Sequence, residues 1–180
     1  MKAREHNASH LDVQDFAKEG ATLEGEWPLR ELPRLAASAQ PDVAPAPVAW
    51  QARGELQPMR GGAAQVWLHV AANTAIGLEC QRCLQTVPLA LEAQRSFLFV
   101  HGETAAAELD ADSEDDVLAL TRALDLRELV EDELLLSLPL VPRHEVCPQP
   151  LPAQRQADDV PAETPNPFAA LAVLKSSGGH

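Results

Sequence analysis

The sequence holds no tyrosine, four phenylalanines and three tryptophans, so aromatic side chains make up only 4% of its 180 residues. A platform that stacks unpaired bases on a row of aromatics is poorly supplied. Cations are short as well, 14 lysines and arginines against 27 aspartates and glutamates, for a formal net charge of −13. That balance disfavours gripping nucleic acid by neutralising many phosphates. No apolar run approaches the ~18 residues of a membrane span. Around Lys2, Arg4, Glu5, His6 and Asn7 there is no apolar secretory stretch. A cytoplasmic protein with no membrane partner is expected. A Gly-rich phosphate loop, H-E-x-x-H and G-x-S-x-G are all missing. Glu131, Asp132 and Glu133 are consecutive, and on a helix such residues point in different directions rather than into one acid/base site. No enzymatic activity is expected. Three cysteines cannot close a disulfide framework.

What is present supports one buried core: 46% of the residues are hydrophobic, in a chain of about one domain's length. The acidity is local. Residues 101–135 carry a net −10, whereas residues 41–100 are neutral, so this stretch reads either as a solvated loop and helix face or as a docking surface for something basic. Eight of the fifteen prolines follow Leu138. They exclude a long helix or central strand between 139 and 167. A single β-rich domain with an N-terminal helical region is expected over 1–147, and a flexible Pro-rich tail ending in a short helix over 148–180. In that tail Asn166 can cap a helix, Pro167 can take its first position, and Phe168, Leu171 and Leu174 share a face. A helix this short is marginal in water and must dock on its own body or on a partner.

From Val48 to Val100 the hydrophobic period is two. Five runs are read as strands, 48–56, 64–70, 74–80, 87–91 and 97–99, with turns at 57–62 and at Ala72-Asn73. The expected class is α+β, an antiparallel β-meander, either a sheet or a partly open barrel, covered by one main amphipathic helix. That helix begins at Asp125, with Glu128 three residues on as in a capping box. Leu126, Leu129, Val130 and Leu134 form its apolar stripe, and it ends before Pro139. Arg127, Glu131 and Asp132 are assigned to its exposed face. A shorter helix is expected near Leu32–Ala39, with Pro33 in its first turn and Leu32, Leu35 and Ala36 inward.

Cys80 and Cys83 stand as L-E-C-Q-R-C-L between two strand patterns, where two thiolates three residues apart can turn the chain around one ion. A structural zinc site takes about four N or S ligands. His144 and Cys147, spaced H-x-x-C, are the other Cys/His pair at ligand spacing. The specific expectation is a Cys3His site for zinc made of Cys80, Cys83, His144 and Cys147. Two alternatives stand beside it: reduced thiols at a tight turn with Cys147 free, and a thioredoxin-like redox pair, although the latter favours a helix N-terminus in a βαβ setting.

Three segments in order, LECQRCL, LVEDELLLSLPLVPRH and NPFAALAVLK, together with GEWPLRELPRL near the start, resemble the YceD family, the large ribosomal RNA subunit accumulation proteins of bacteria. The resemblance implies a part in producing or maintaining 23S ribosomal RNA, and no known catalysis. By position, Cys80, Arg82 and Cys83 match the knuckle. Glu131, Asp132, Glu133 and Pro139 match the acidic helix, and Asn166, Pro167, Phe168, Leu171 and Lys175 match the terminal motif. Some family members carry paired cysteines where this chain offers His144 and Cys147.

The expected function is that of a ribosome-biogenesis factor whose direct partner is a basic ribosomal protein or a pre-large-subunit particle, because acidity attracts such proteins and repels bare RNA. Arg82, Glu131, Asp132, Glu133, Asn166, Pro167, Phe168, Leu171 and Lys175 are the expected partner-binding residues. The rival readings are a direct RNA-binding sheet using Trp50, Trp67, Arg53, Arg60, Arg82 and Arg95, and a redox switch at Cys80 and Cys83.

Overall fold

The period-two alternation folds as three long strands rather than five short ones. In the computed structural model, which describes residues 6–148, strands β1 (Thr22–Trp27), β2 (Val48–Gln57), β3 (Gln65–Glu79), β4 (Thr86–Val100) and β5 (Asp116–Ala119) make one open sheet in that order. The first four form an antiparallel meander, and β5 adds parallel to β4. The turn expected at Ala72-Asn73 is absent. Alternate positions from Val66 to Leu78 keep facing the core, so β3 runs straight through, with Ala72 opposite Trp50 and Ala93 and Asn73 opposite Ala49 and Glu92. The runs 87–91 and 97–99 likewise merge into β4.

One face of the sheet is covered by helices. α1 (Val13–Lys18), a 3-10 turn at Leu29–Glu31, α2 (Pro33–Ser38) and α4 (Leu126–Leu136) enclose a core in which Phe16, Leu35, Leu68, Ile76, Leu126, Val130 and Leu134 are fully buried. The expected α4 stripe contributes Leu126, Val130 and Leu134 to it, each worth roughly 1.5 to 3 kcal/mol. Asp125 caps α4 by accepting the N–H groups of Arg127 and Glu128 at 3.0 and 3.3 Å. On the opposite face α3 (Glu103–Asp112) is held by a small cluster of Leu98, Ala106 and Val117, with Trp67 against it.

Two expectations about exposure are corrected. Glu131 is 5% exposed, because α2 begins at Pro33 without a side-chain cap of its own, and Glu131 supplies one. Its Oε1 accepts the N–H groups of Arg34 and Leu35 at 2.7 and 3.0 Å, and its Oε2 accepts Arg34 Nε–H at 3.0 Å. A carboxylate at a helix N-terminus satisfies orphan donors and meets the positive end of the dipole. Trp50 is also buried, stacked on Trp27 with ring centroids 4.3 Å apart. A Cβ at Gly25 would meet its indole at 3.1 Å. One of the two tryptophans that the RNA-binding reading named is therefore a core residue.

Gly54 sets how closely α1 approaches the sheet. A Cβ there would lie 2.8 Å from the backbone of Phe16 and Ala17. Gly54→Ala must push α1 outward, and a loss of roughly 1 to 3 kcal/mol, typical of overpacking, is expected in chemical denaturation. A destabilisation below about 0.5 kcal/mol would show that α1 is held loosely.

The compact unit Met1–Glu145 contains this sheet and its helices; of the second unit, Val146–His180, only Val146, Cys147 and Pro148 are described. The tail expected over 148–180 therefore lies, apart from Pro148, outside the described residues, and with it Asn166, Pro167, Phe168, Leu171 and Lys175. Among the described residues no helix is long and apolar enough to cross a membrane.

Candidate metal centre

β3 ends at Glu79 and β4 begins at Thr86, and the six residues between them form the knuckle. Its turn is closed by Leu84 N–H to the Cys80 carbonyl and by Cys80 N–H to the Gln85 carbonyl, both at 2.9 Å. Gln81 N–H reaches the Pro142 carbonyl, also at 2.9 Å. That bond lays the segment after α4 against the knuckle. It brings His144 Nδ1 to 3.5 Å from Cys83 Sγ.

The four residues expected from spacing come together. One ligand atom from each of Cys80, Cys83, His144 and Cys147 lies within 4.8 Å of all the others. Ligands ~2.3 Å from a tetrahedral ion stand about 3.8 Å apart, so the cluster needs only a small contraction to close on one. Cys80 is fully buried and the other two cysteines are partly so. Burial pushes the Cys80 thiol up, but the backbone N–H groups of Cys83, His144 and Arg82 and the His144 side chain outweigh it, and the thiol falls to about 5. Such an environment prepares a thiolate, the form that ligates metal.

A pH dependence follows with a definite sign. The folded-state value lies below that of an unfolded thiol, ~8.5, so stabilisation from this thiolate is complete above the unfolded value and lost as the pH falls through about 5. In metal-free protein at neutral pH the thiolate ultraviolet absorbance of Cys80 should persist, and it should titrate away near pH 5. Disappearance of the absorbance near the ordinary thiol value would contradict the hydrogen-bonded arrangement.

Leu84, directly after the second cysteine, has φ 59° and is 69% exposed. A left-handed leucine costs roughly 1 to 2 kcal/mol, and its side chain recovers little by burial. Leu84→Gly should therefore raise stability in denaturant by about 1 kcal/mol without altering metal stoichiometry. Unchanged or lowered stability would mean that Leu84 makes contacts that hold the knuckle.

The remaining sequence-derived candidates are dispersed. Arg82 is exposed on the knuckle turn, while Asp132 and Glu133 lie on α4. Asp132 binds Arg34, and Glu133, 9% exposed, accepts Arg95 Nε–H at 3.1 Å. Burial raises the Glu133 carboxyl above its ordinary range and Arg95 partly restores it. Pro142, whose carbonyl closes the knuckle, and Arg34, which engages Glu131 and Asp132, carry no spacing signal. The crowding of Pro139 and Pro142 just before His144 was the available hint that this segment returns extended.

A family model described as "Large ribosomal RNA subunit accumulation protein YceD" matches residues 68–175, more than half of the chain and all four clustered residues. The chain belongs to the YceD family. A curated protein of that name from Haemophilus influenzae is 38% identical over 104 residues, which span 56% of this chain and 60% of the relative. The match thus covers less than two thirds of the length of this YceD relative. No solved structure matches the chain.

Proposed function

We propose that this YceD-family protein supports accumulation of large-subunit ribosomal RNA without catalysis, by docking a basic ribosomal protein or pre-large-subunit particle on its acidic surface. It acts in the cytoplasm, with a structural zinc ion held by Cys80, Cys83, His144 and Cys147. The observation that carries the docking is the exposure of α3 and the loop after it. Glu103, Glu108, Asp110, Asp112, Glu114, Asp115 and Asp116 are all exposed, and among the described residues the cation nearest to any of them is Arg95, 3.9 Å from Asp116. Apart from Asp116 at the start of β5, these carboxylates on one helix and loop have no ion-pair partner among the described residues, and such a surface steers and holds a cationic partner. On α4, Asp132 is the exposed member of the acidic trio, and Glu131 and Glu133 act by fixing that helix. Arg82 on the knuckle and the terminal residues Asn166, Pro167, Phe168, Leu171 and Lys175 supply further contacts in this reading.

Zinc is supported by the donor set, three sulfurs and one imidazole, and by thiolate-favouring surroundings. When bound it cross-links the β3–β4 turn to the segment after α4. The test of docking is affinity capture from a native lysate with and without RNase, using the wild-type chain and a variant with Glu108, Asp112 and Asp115 changed to lysine. Co-purification of a basic ribosomal protein that survives RNase and is lost in the variant supports the reading. Loss of the association on RNase digestion, or equal capture by the variant, overturns it.

A further inference from the structure

Strand register sets two rows of side chains across the sheet face opposite the main core. Gln51, Ala71 and Gln94 stand abreast on β2, β3 and β4, and Arg53, His69 and Ser96 form the next row. Ala71 is the smallest of the six, so the first row is hollow at its centre, with a glutamine on either side. Two strand spacings of ~4.8 Å separate those glutamines. The result is an open recess of about 240 Å³ that these six residues line together with Val70 and Arg95. Drug-sized ligands occupy ~300 to 1,000 Å³, so this recess takes one small planar group rather than a whole folded ligand.

His69 makes the wall. Its Nδ1 lies 2.8 Å from Ser96 Oγ, and its ring is parallel to that of Trp67, within 2° and with centroids 6.3 Å apart. Held between serine and indole, the imidazole plane is fixed before any ligand arrives. Its Nε2 is buried and finds no hydrogen-bond partner among the described residues, although Glu55 Oε2 lies 3.3 Å away. The chemistry of the lining narrows the occupant. Both guanidiniums that line it are paired with carboxylates, Arg53 with Glu55 at 2.8 Å and Arg95 with Glu133 at 3.1 Å, and the Glu55 carboxylate repels anions, so neither phosphate nor a carboxylate ligand is favoured. Two primary amides each offer a donor and an acceptor. Such groups read the edges of bases, and a carboxylate accepts from an exocyclic amine. An imidazole face stacks on a flat ring.

We propose that this recess binds a single unpaired nucleobase, stacked on His69 and read at its edge by Gln51 and Gln94. The base belongs either to a free nucleotide or to single-stranded RNA. The proposal is independent of the acidic docking surface, because it uses neither α3 nor its carboxylates and needs no phosphate neutralisation.

The experiment is an NMR titration of the isotopically labelled full chain with each of the four nucleoside monophosphates, with single-stranded pentanucleotides and with inorganic phosphate. Millimolar binding of at least one nucleotide is expected, with shifts centred on His69, Ala71 and Gln94 and no response to phosphate. Tighter binding of a pentanucleotide assigns the base to RNA; equal affinity assigns it to a free nucleotide. His69→Ala should weaken binding about ten-fold, as loss of one base-aromatic stack does. Ala71→Leu fills the recess and should abolish binding, with the melting curve recording that the fold is kept. Absence of shifts at these residues, a matching response to phosphate, or undiminished binding by Ala71→Leu overturns the proposal.

Discussion

Replacing Cys80 by serine is expected to abolish stoichiometric zinc in protein purified without chelator and to lower stability by about 4 kcal/mol, the linkage expected for a ligand present at a thousand times its dissociation constant. Cys80 is the buried member of the cluster and the one whose thiolate the surrounding amides prepare. A serine hydroxyl is slightly smaller than the thiol and stays protonated at neutral pH. The loss falls short of the ~10 to 16 kcal/mol apparent in small zinc-dependent peptides, because the sheet has its own core of Leu68, Ile76, Leu126 and Leu134. The variant should fold, with hydrogen-exchange protection lost at the end of β3, the start of β4 and residues 140–148. Wild-type protein treated with chelator should reproduce both the lower melting temperature and the local loss of protection. Zinc below about 0.2 ion per wild-type chain with unchanged melting in chelator would remove the metal from the structure. The cluster would then be a set of reduced thiols at a turn.

The knuckle was legible in the sequence because its signal is short-range: two cysteines at C-x-x-C between two alternating runs, and a second pair at H-x-x-C. α4 was legible for the same reason, with a cap, a stripe and a proline stop inside fifteen residues. What escaped needed partners distant in the chain. β1 was missed because its inward row includes Gly25, which leaves room for Trp50 from another strand. That gap breaks the apolar alternation that would announce a strand. α3 was missed because its alanines bury a single side chain, Ala106, and its acidic residues read equally well as a loop. Ala72-Asn73 looked like a turn locally, and only the ladders on both sides show it to be mid-strand. The recess at Ala71 could have been found from the sequence only with the register in hand, since Gln51 and Gln94 are 43 positions apart.

Glu131→Ala is expected to destabilise the protein by about 3 kcal/mol, chiefly the cost of leaving two backbone donors without their acceptor, even though the sequence places this residue in an acidic run suited to solvent. The carboxylate joins α4 to the first turn of α2, across 97 positions, through two backbone amides and the Arg34 guanidinium. Removing it leaves the Arg34 and Leu35 N–H groups without their acceptor in the first turn of α2, where Leu35 is buried, while Arg34 keeps Asp132 as its remaining anion. An orphaned buried donor costs roughly 1 to 3 kcal/mol. Glu131→Gln separates the contributions: the amide oxygen can still accept from both backbone groups, so about half the loss should return, and the remainder measures the charge on Arg34 and on the α2 dipole. Urea denaturation of the three proteins at neutral pH gives the comparison. The same pair distinguishes folding from docking. If Glu131 serves the interior, Glu131→Gln should capture the basic partner as well as wild type does at temperatures where it is folded, while lysine substitutions on α3 should not. Partner loss in Glu131→Gln with wild-type stability would instead put this carboxylate at the interface.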